Sequence, residues 1–299
     1  MTTTHRGAAN LSLVYIILLN WHGWRDAIIC LDSLAFLDYT NYRVLVVDNG
    51  SSDDSVARIR AAHPQVLILE TGRNLGFSGG CNVGIRRALE EGADYIWLLN
   101  NDTTVDPQAL AAMVAVAEAD PCVGAVGSVL YYMDNPKDIQ AWGGGRVCFW
   151  SGRTRHNLYP VPTTQVHYLT AASILIRRTP LVDVGLLDEN TFFMYWEDTD
   201  FSFRLRKEGW RLAVAERSIV LHKEHSATGK GSPLLDYYFN ESAIRFFLRH
   251  ASTPAVPIVI GVGGRLMKRI LRGNMKGALS VVAGAIKGFH GANNGARKV

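Results

Sequence analysis

A doubly wound α/β sheet with mostly parallel strands is predicted by two features of the first half of the chain. Short continuous apolar runs alternate with amphipathic helical stretches, and each run ends abruptly in polar residues. The runs are Val14–Leu19, Arg43–Val47, Val66–Leu69 and Tyr95–Leu99, the length and composition expected of strands buried on both faces. Between them lie the helical stretches Trp24–Phe36, Asp53–Ala62 and Gly79–Glu91. In the last of these, Val83, Ile85, Ala88 and Leu89 oppose Arg86, Arg87, Glu90 and Glu91. Asp106-Pro107 signals a further helix, with an acid at the cap and proline at the first helical position.

The second half is less regular. Gly124–Tyr132 and Tyr168–Ile176 read as strands separated by an irregular insert, Asp134–Pro162, rich in Trp, Gly and Arg. Thr179-Pro180 opens a short helix, and Glu197–Glu208 forms a longer one that Gly209 ends. Arg211–Ala215 and Ser218–Leu221 read as brief strands leading to His222, and Leu234–Leu248 as an amphipathic helix. From Pro254 the composition shifts to Gly, Ala, Val and basic residues. We expect one domain over residues 11–250, in two halves near 11–120 and 121–250. Residues 251–299 are expected to form a basic amphipathic helical appendage.

Composition narrows the class. The 299 residues are 48% hydrophobic and 19% charged, enough for a sizeable core and too apolar for global disorder. The net charge of +4 is unevenly distributed, for no acid follows Glu241 while ten Lys or Arg residues do. Such a tail suits an anionic partner surface, phospholipid or nucleic acid. Cys30, Cys81, Cys122 and Cys148 show no CxxC spacing, which argues against a zinc knuckle or a disulfide scaffold. Met1–Asn10 lacks the order of a signal peptide, and no apolar stretch has the length of a membrane span, so a cytosolic location is expected.

In a sheet of this kind ligands bind beyond the carboxyl ends of the strands. Asp48, Asn74 and Asp102 all fall there. Asp48-Asn49-Gly50-Ser51-Ser52 turns directly out of a strand. An Asx turn explains Asn49 and the serines, whereas Asp48 is better read as accepting from a nucleobase imide or a ribose hydroxyl. Arg73-Asn74-Leu75-Gly76 opens a glycine-rich loop before a helix. It could cradle a phosphate or simply need glycine conformations. Asn100-Asn101-Asp102 ends a central strand, where an isolated carboxylate is costly unless paired or metal-bound. Its oxygens suit Mg²⁺ or Mn²⁺. Trp196-Glu197-Asp198-Thr199-Asp200 places three acids within four positions at a helix start, more than capping requires, and one could be a general base. His222, ending a strand, could complete a metal's ligand set or be structural. Trp142, in a Trp-Gly-Gly-Gly segment, and Trp196 are candidate acceptor-facing rings, with a structural loop the alternative for the former.

Five segments in order, VVDNGSSDDS, RNLGFSGGCNVGI, LLNNDT, FFMYWEDTDFSFRLRKEGW and VLHKEHS, resemble the family 2 glycosyltransferases of the GT-A fold, particularly the rhamnosyltransferase-like branch. The likeness spans roughly Leu13 to His250 and implies a nucleotide-binding half near 11–120 and an acceptor-binding half near 121–250. It implies a Rossmann-like, mostly parallel central sheet flanked by helices. It also implies inverting transfer of a sugar, rhamnose from dTDP-rhamnose being the leading expectation, from a nucleotide donor to a glycan or lipid-linked acceptor in cell-surface polysaccharide synthesis. On this likeness Asp48 and Asn49 contact the nucleoside, with Arg73, Asn74 and Gly76 near it or the diphosphate. Asn100, Asn101 and Asp102 stand at the family's DxD motif; Asp102 and His222 are then metal ligands, with Asn100 a weaker third because its acid is replaced by an amide. Asp198 matches the catalytic base, with Glu197 beside it. A lipid-linked acceptor would place the basic tail peripherally on an inner membrane face, with no nucleic-acid partner. A metal-dependent sugar nucleotidyltransferase and a noncatalytic sugar-binding module are the alternatives.

Overall fold

The computed structural model describes residues 11–223 and 232–295, with side chains through 290. Glu224, His225 and Ser226 of the last motif, the first ten residues, and Arg297 and Lys298 lie outside the described residues. In chain order the elements are β1 (Val14–Asn20), α1 (Trp24–Leu34), β2 (Tyr42–Asp48), α2 (Ser55–Ala62), β3 (Leu67–Glu70) and α3 (Gly76–Glu90). Then come β4 (Tyr95–Asn100), β5 (Thr103–Val105), α4 (Ala109–Ala119), β6 (Val123–Tyr132), β7 (Ile139–Trp142), β8 (Gly144–Cys148) and β9 (Arg153–His156). The chain continues through β10 (Tyr168–Leu169), β11 (Ser173–Arg177), α5 (Arg178–Asp183), α6 (Glu197–Lys207) and β12 (Arg211–His222). Three helices close it: α7 (Pro233–His250), α8 (Ala255–Leu271) and α9 (Met275–Gly295).

The central sheet has the order β3-β2-β1-β4-β11-β6-β12-β5, with β7 added on β6. β3, β2, β1 and β4 are mutually parallel, as the alternating pattern requires. β11 runs against β4 and β6, and β5 runs against β12. A second sheet, β10-β8-β9, is built from the insert that the sequence left irregular. The strand expected over Tyr168–Ile176 is broken between Leu169 and Ser173, so its two pieces join different sheets. Conversely, the two strands expected before His222 are one strand with a bulge between Ala215 and Ile219.

Alternation along β1 sends Ile16 and Leu18 to one face of the sheet and Tyr15 and Ile17 to the other. The first face is covered by Leu31, Leu34, Ile59, Leu110 and Met113 of α1, α2 and α4. The second is covered by Ile85, Ala88, Leu181, Phe201 and Leu205 of α3, α5 and α6. Both faces are therefore dry, which explains the continuous apolar strands. A third apolar cluster joins Phe192 and Trp196 to Phe246 and Phe247 of α7 and Ile258 of α8. The helices after residue 250 are thus packed on the rest. In α9, a Cβ on Gly284 would come within 2.1 Å of the Tyr237 carbonyl oxygen, so only glycine lets α9 lie this close to α7.

Candidate active site

Strand register gathers the site. Asn20 of β1 pairs with Asp48 of β2, and Leu19 pairs with Asn100 of β4, so three polar strand ends meet at one rim. Asp48, almost fully buried, accepts from Asn20 Nδ2 at 2.9 Å, Ser51 Oγ at 2.7 Å and the Ser51 amide at 2.9 Å. Asn101 Nδ2 donates to Asn20 Oδ1 at 3.3 Å, which ties this carboxylate to the end of β4. On the other side, Asn49 donates to Asn74 Oδ1 and to the Gly76 carbonyl, at 3.1 and 3.0 Å, and accepts from the Leu75 amide at 2.9 Å. The Arg73 side chain next to this network is exposed. The loop is pinned from both directions, and the Leu75, Gly76 and Phe77 amides at the start of α3 are taken up by Asn49 Oδ1, Asn74 Oδ1 and the Phe193 carbonyl.

At the end of β4, Asp102 Oδ1 lies 3.2 Å from Nε2 of His222. Asn100 Nδ2 lies 3.3 Å from the same ring nitrogen, and both Asp102 and His222 are buried. The other ring nitrogen, Nδ1, donates to Oε1 of Gln140 at 2.7 Å. That bond fixes the ring so that Nε2 points at the carboxylate. An oxygen anion and a nitrogen lone pair facing each other in a buried place are stabilised by a cation between them. One carboxylate oxygen and one imidazole nitrogen fit a divalent metal, with the remaining positions left for water and substrate phosphate. Among the described residues no group of three or more His, Cys, Asp or Glu is gathered as a protein-only cage. As placed, Asn100 aims its amide nitrogen at the imidazole and so steadies the ring. Beside Asp102 opens a cleft of about 370 Å³, also lined by Asp26, Thr103, Asp134 and Lys223. A larger groove of about 590 Å³ lies against the amino ends of β2 and β3, away from these acids.

The acid pair is delivered by strained backbone. Tyr195 and Trp196 both sit in the left-handed region, at φ 66° and 69°, immediately before α6. Such residues cost on the order of 1–3 kcal/mol each and persist where packing enforces them. Packing does so here: Trp196 is 4% exposed against Phe239, Phe246 and Phe247. The loop ahead of it is also held, because the Phe193 carbonyl accepts from the Phe77 amide at 2.7 Å. Gly76, at φ 76°, leaves no room for a side chain, since a Cβ would meet that carbonyl oxygen at 2.3 Å.

The result is two carboxyls with different surroundings. Asp198 keeps some exposure. Its Oδ2 accepts from the Ala171 amide at 3.1 Å, and its Oδ1 from the Thr199 amide at 2.6 Å and the Thr199 hydroxyl at 3.1 Å. Glu197 is 6% exposed, and its Oε2 is buried without a hydrogen-bond partner. Burial pushes both carboxyls above their ordinary range; for Glu197 the Asp198 charge adds to the rise, and for Asp198 the Ala171 and Thr199 amides oppose it. Asp198 therefore ionises first and Glu197 stays neutral to higher pH. The third acid, Asp200, is an ion-pair centre for Arg204, Arg249 and His250 and faces away from this chemistry.

The two parts of the site are joined by the break between β10 and β11. The Asn100 amide donates to the Ala172 carbonyl at 3.0 Å, while the amide of the preceding Ala171 donates to Asp198. The end of the Asp102 strand and the Asp198 carboxylate thus touch adjacent residues of one short segment. Trp142 and Trp196, expected near an acceptor, are 8% and 4% exposed, which makes both rings core packing rather than open platforms. Sequence reasoning missed Asn20, Gln140 and Ala171. Asn20 ends an apolar strand as Asp48 and Asn100 do, a signal that could have found it. Gln140 lies in the irregular insert, and Ala171 acts through its backbone; neither carries a signal.

The family model for glycosyl transferase family 2 matches residues 15–185. An N-acetylglucosaminyl-diphospho-decaprenol L-rhamnosyltransferase from Mycobacterium tuberculosis is 28% identical over 225 residues, 67% of this chain and 72% of that protein. The low-salt glycan biosynthesis hexosyltransferase Agl10 from Haloferax volcanii is 24% identical over 188 residues, 60% of this chain and 58% of its own length. Among solved structures, the mannosyltransferase PcManGT from Pyrobaculum calidifontis, in complex with GDP-Man and Mn2+, superposes with a TM-score of 0.62 at 16% identity. That match covers 92% of this chain and 74% of the other.

Proposed function

Because the chain belongs to glycosyl transferase family 2, and so is a glycosyltransferase with the GT-A type of fold, we propose that it transfers a hexose with inversion from a nucleoside diphosphate sugar to an acceptor hydroxyl. The observation that supports this reading is the shared Ala171-Ala172 segment, which binds both the end of β4 and the Asp198 carboxylate.

In this reading Asp48 accepts from the nucleoside, and Asn49, Asn74, Gly76 and Arg73 border the diphosphate. Asp102 and His222 are the residues that would hold a divalent cation, Mg²⁺ or Mn²⁺. Bound there, it would neutralise charge on the departing nucleoside diphosphate. Asp198 accepts the proton of the acceptor hydroxyl as that oxygen bonds to the anomeric carbon and the bond to the diphosphate breaks. Its raised pKa makes it a stronger base than an exposed aspartate, and the neutral Glu197 beside it leaves that charge uncontested. Similarity to the mycobacterial rhamnosyltransferase supports a lipid-linked glycan as acceptor, hence a role in cell-surface polysaccharide synthesis, and rhamnose from dTDP-rhamnose is the donor to try first.

The test is a panel of nucleotide sugars with Mn²⁺, read by thermal shift and by release of nucleoside diphosphate. One donor, dTDP-rhamnose first, should raise the melting temperature and be turned over. Release of pyrophosphate from a sugar phosphate and a nucleoside triphosphate would overturn the transferase reading in favour of a nucleotidyltransferase.

A further inference from the structure

Among the described residues, nineteen large apolar side chains are exposed, and ten of them lie on α8 and α9. This is a patch rather than the scatter found on ordinary surfaces. On α9, Met275, Leu279, Val282, Ile286 and Phe289 recur at helical spacing and are 39% to 68% exposed. On α8, Val259, Ile260, Met267, Ile270 and Leu271 are 40% to 78% exposed. The opposite side of α9 is committed inward: Ala278 and Val281 are buried, and Gly284 and Gly288 meet the backbone of α7. The outward stripe therefore cannot roll onto the domain.

Charge chooses the occupant. Arg245, Arg249 and Arg269 are engaged by Glu241, by Asp188 and Asp200, and by Asp236. Lys268, Arg272 and Lys276 are exposed and make no ion pair among the described residues. No acid follows Glu241 in the sequence. A second copy of this face would bring like charges together, and a nucleic acid would have no use for ten apolar side chains. A bilayer with anionic headgroups satisfies both the apolar stripe and the cations. The turn bearing Trp150, 72% exposed, is held against α8, where Arg265 Nη1 donates to the Gly152 carbonyl at 3.2 Å. An indole there suits the headgroup level of a membrane. No described helix is long and apolar enough to cross a membrane.

We propose that α8, α9 and the Trp150 turn form one surface that lies on an anionic phospholipid bilayer. The proposal does not depend on the donor or the reaction, and it would bring the enzyme to a lipid-linked acceptor.

The full-length chain is floated with vesicles of phosphatidylcholine alone or mixed with phosphatidylglycerol. It should float with the mixed vesicles and stay in the dense fraction with phosphatidylcholine. Changing Lys268, Arg272 and Lys276 together to Gln should weaken binding about a hundredfold, from about fivefold per charge. Leu279→Ser with Ile286→Ser should abolish flotation. Circular dichroism and nucleotide-sugar thermal shifts should be unchanged in both variants, which separates this surface from the transfer site. If the serine variant does not fold, the charge variant, altered only at exposed positions, carries the test. Wild-type protein left in the dense fraction with the mixed vesicles would overturn the proposal. So would variants that float as well as wild type, or a dimer that Leu279→Ser disperses without any vesicle binding.

Discussion

The first and second halves of this molecule build their parts of the candidate site in different ways. In β1, β2 and β4, parallel neighbours in register bring Asn20, Asp48 and Asn100 to one rim as a direct result of strand pairing. Beyond β5 the chain assembles its part from a strand break, a bulge, two left-handed residues and a glutamine from the insert. The first half offers a generic platform, and the second supplies the proposed base, Asp198, and fixes where it points. Variants at Asp198 in the second half should then alter turnover more selectively than variants at Asn20 or Asp48 in the first.

The sharpest break is Asp198→Asn, which keeps the shape and removes the proton acceptor. Turnover should fall about 10²–10⁴-fold while donor affinity, measured calorimetrically, stays within about twofold. Equal losses of both would make Asp198 a structural cap. Next is the cation. Asp102→Ala should erase the difference between nucleotide titrations with and without Mn²⁺, because one of the two protein donors is gone. Gln140→Leu should leave both donors in place but free the imidazole to change tautomer, weakening Mn²⁺ affinity about 10–100-fold. If Gln140→Leu binds Mn²⁺ as tightly as wild type, the orienting role of that side chain is wrong.

The smallest effect concerns stability. Glu197 has a folded-state pKa raised by burial and by the Asp198 charge, above its unfolded value of about 4.3. Its contribution to stability is therefore full below that pH and is lost as pH rises through the folded value. Glu197→Gln cannot ionise. Relative to wild type its melting temperature should improve as pH increases from 4 toward neutrality, and the gap should narrow again in acid. A gap that widens in acid would mean that Glu197 is ionised in the fold.

What could be read in the sequence follows the same division. An apolar run that stops at a polar residue declares both a buried strand and its ligand-facing end, so Asp48, Asn100 and Asp102 were legible, and β1 to β4 with them. Tyr168–Ile176 was equally apolar, yet it breaks at Thr170–Ala172, and nothing in those residue types announces that their backbone will serve Asn100 and Asp198. Trp196 looked like a platform because it precedes the acids. Its burial depends on Phe246 and Phe247, some fifty residues later, a long-range contact invisible to local pattern. Gln140 is a polar residue in an irregular stretch until the fold sets it against His222.

The clasp between Gly76 and Phe193 bears on how relatives could be recombined. A chimera taking its first half from one protein and the remainder from another would separate the glycine from the carbonyl that occupies its side-chain space. A donor carrying any larger residue there would push the Phe193 loop outward and carry Asp198 with it. Grafts meant to exchange sugar preference should therefore move these two positions as a unit.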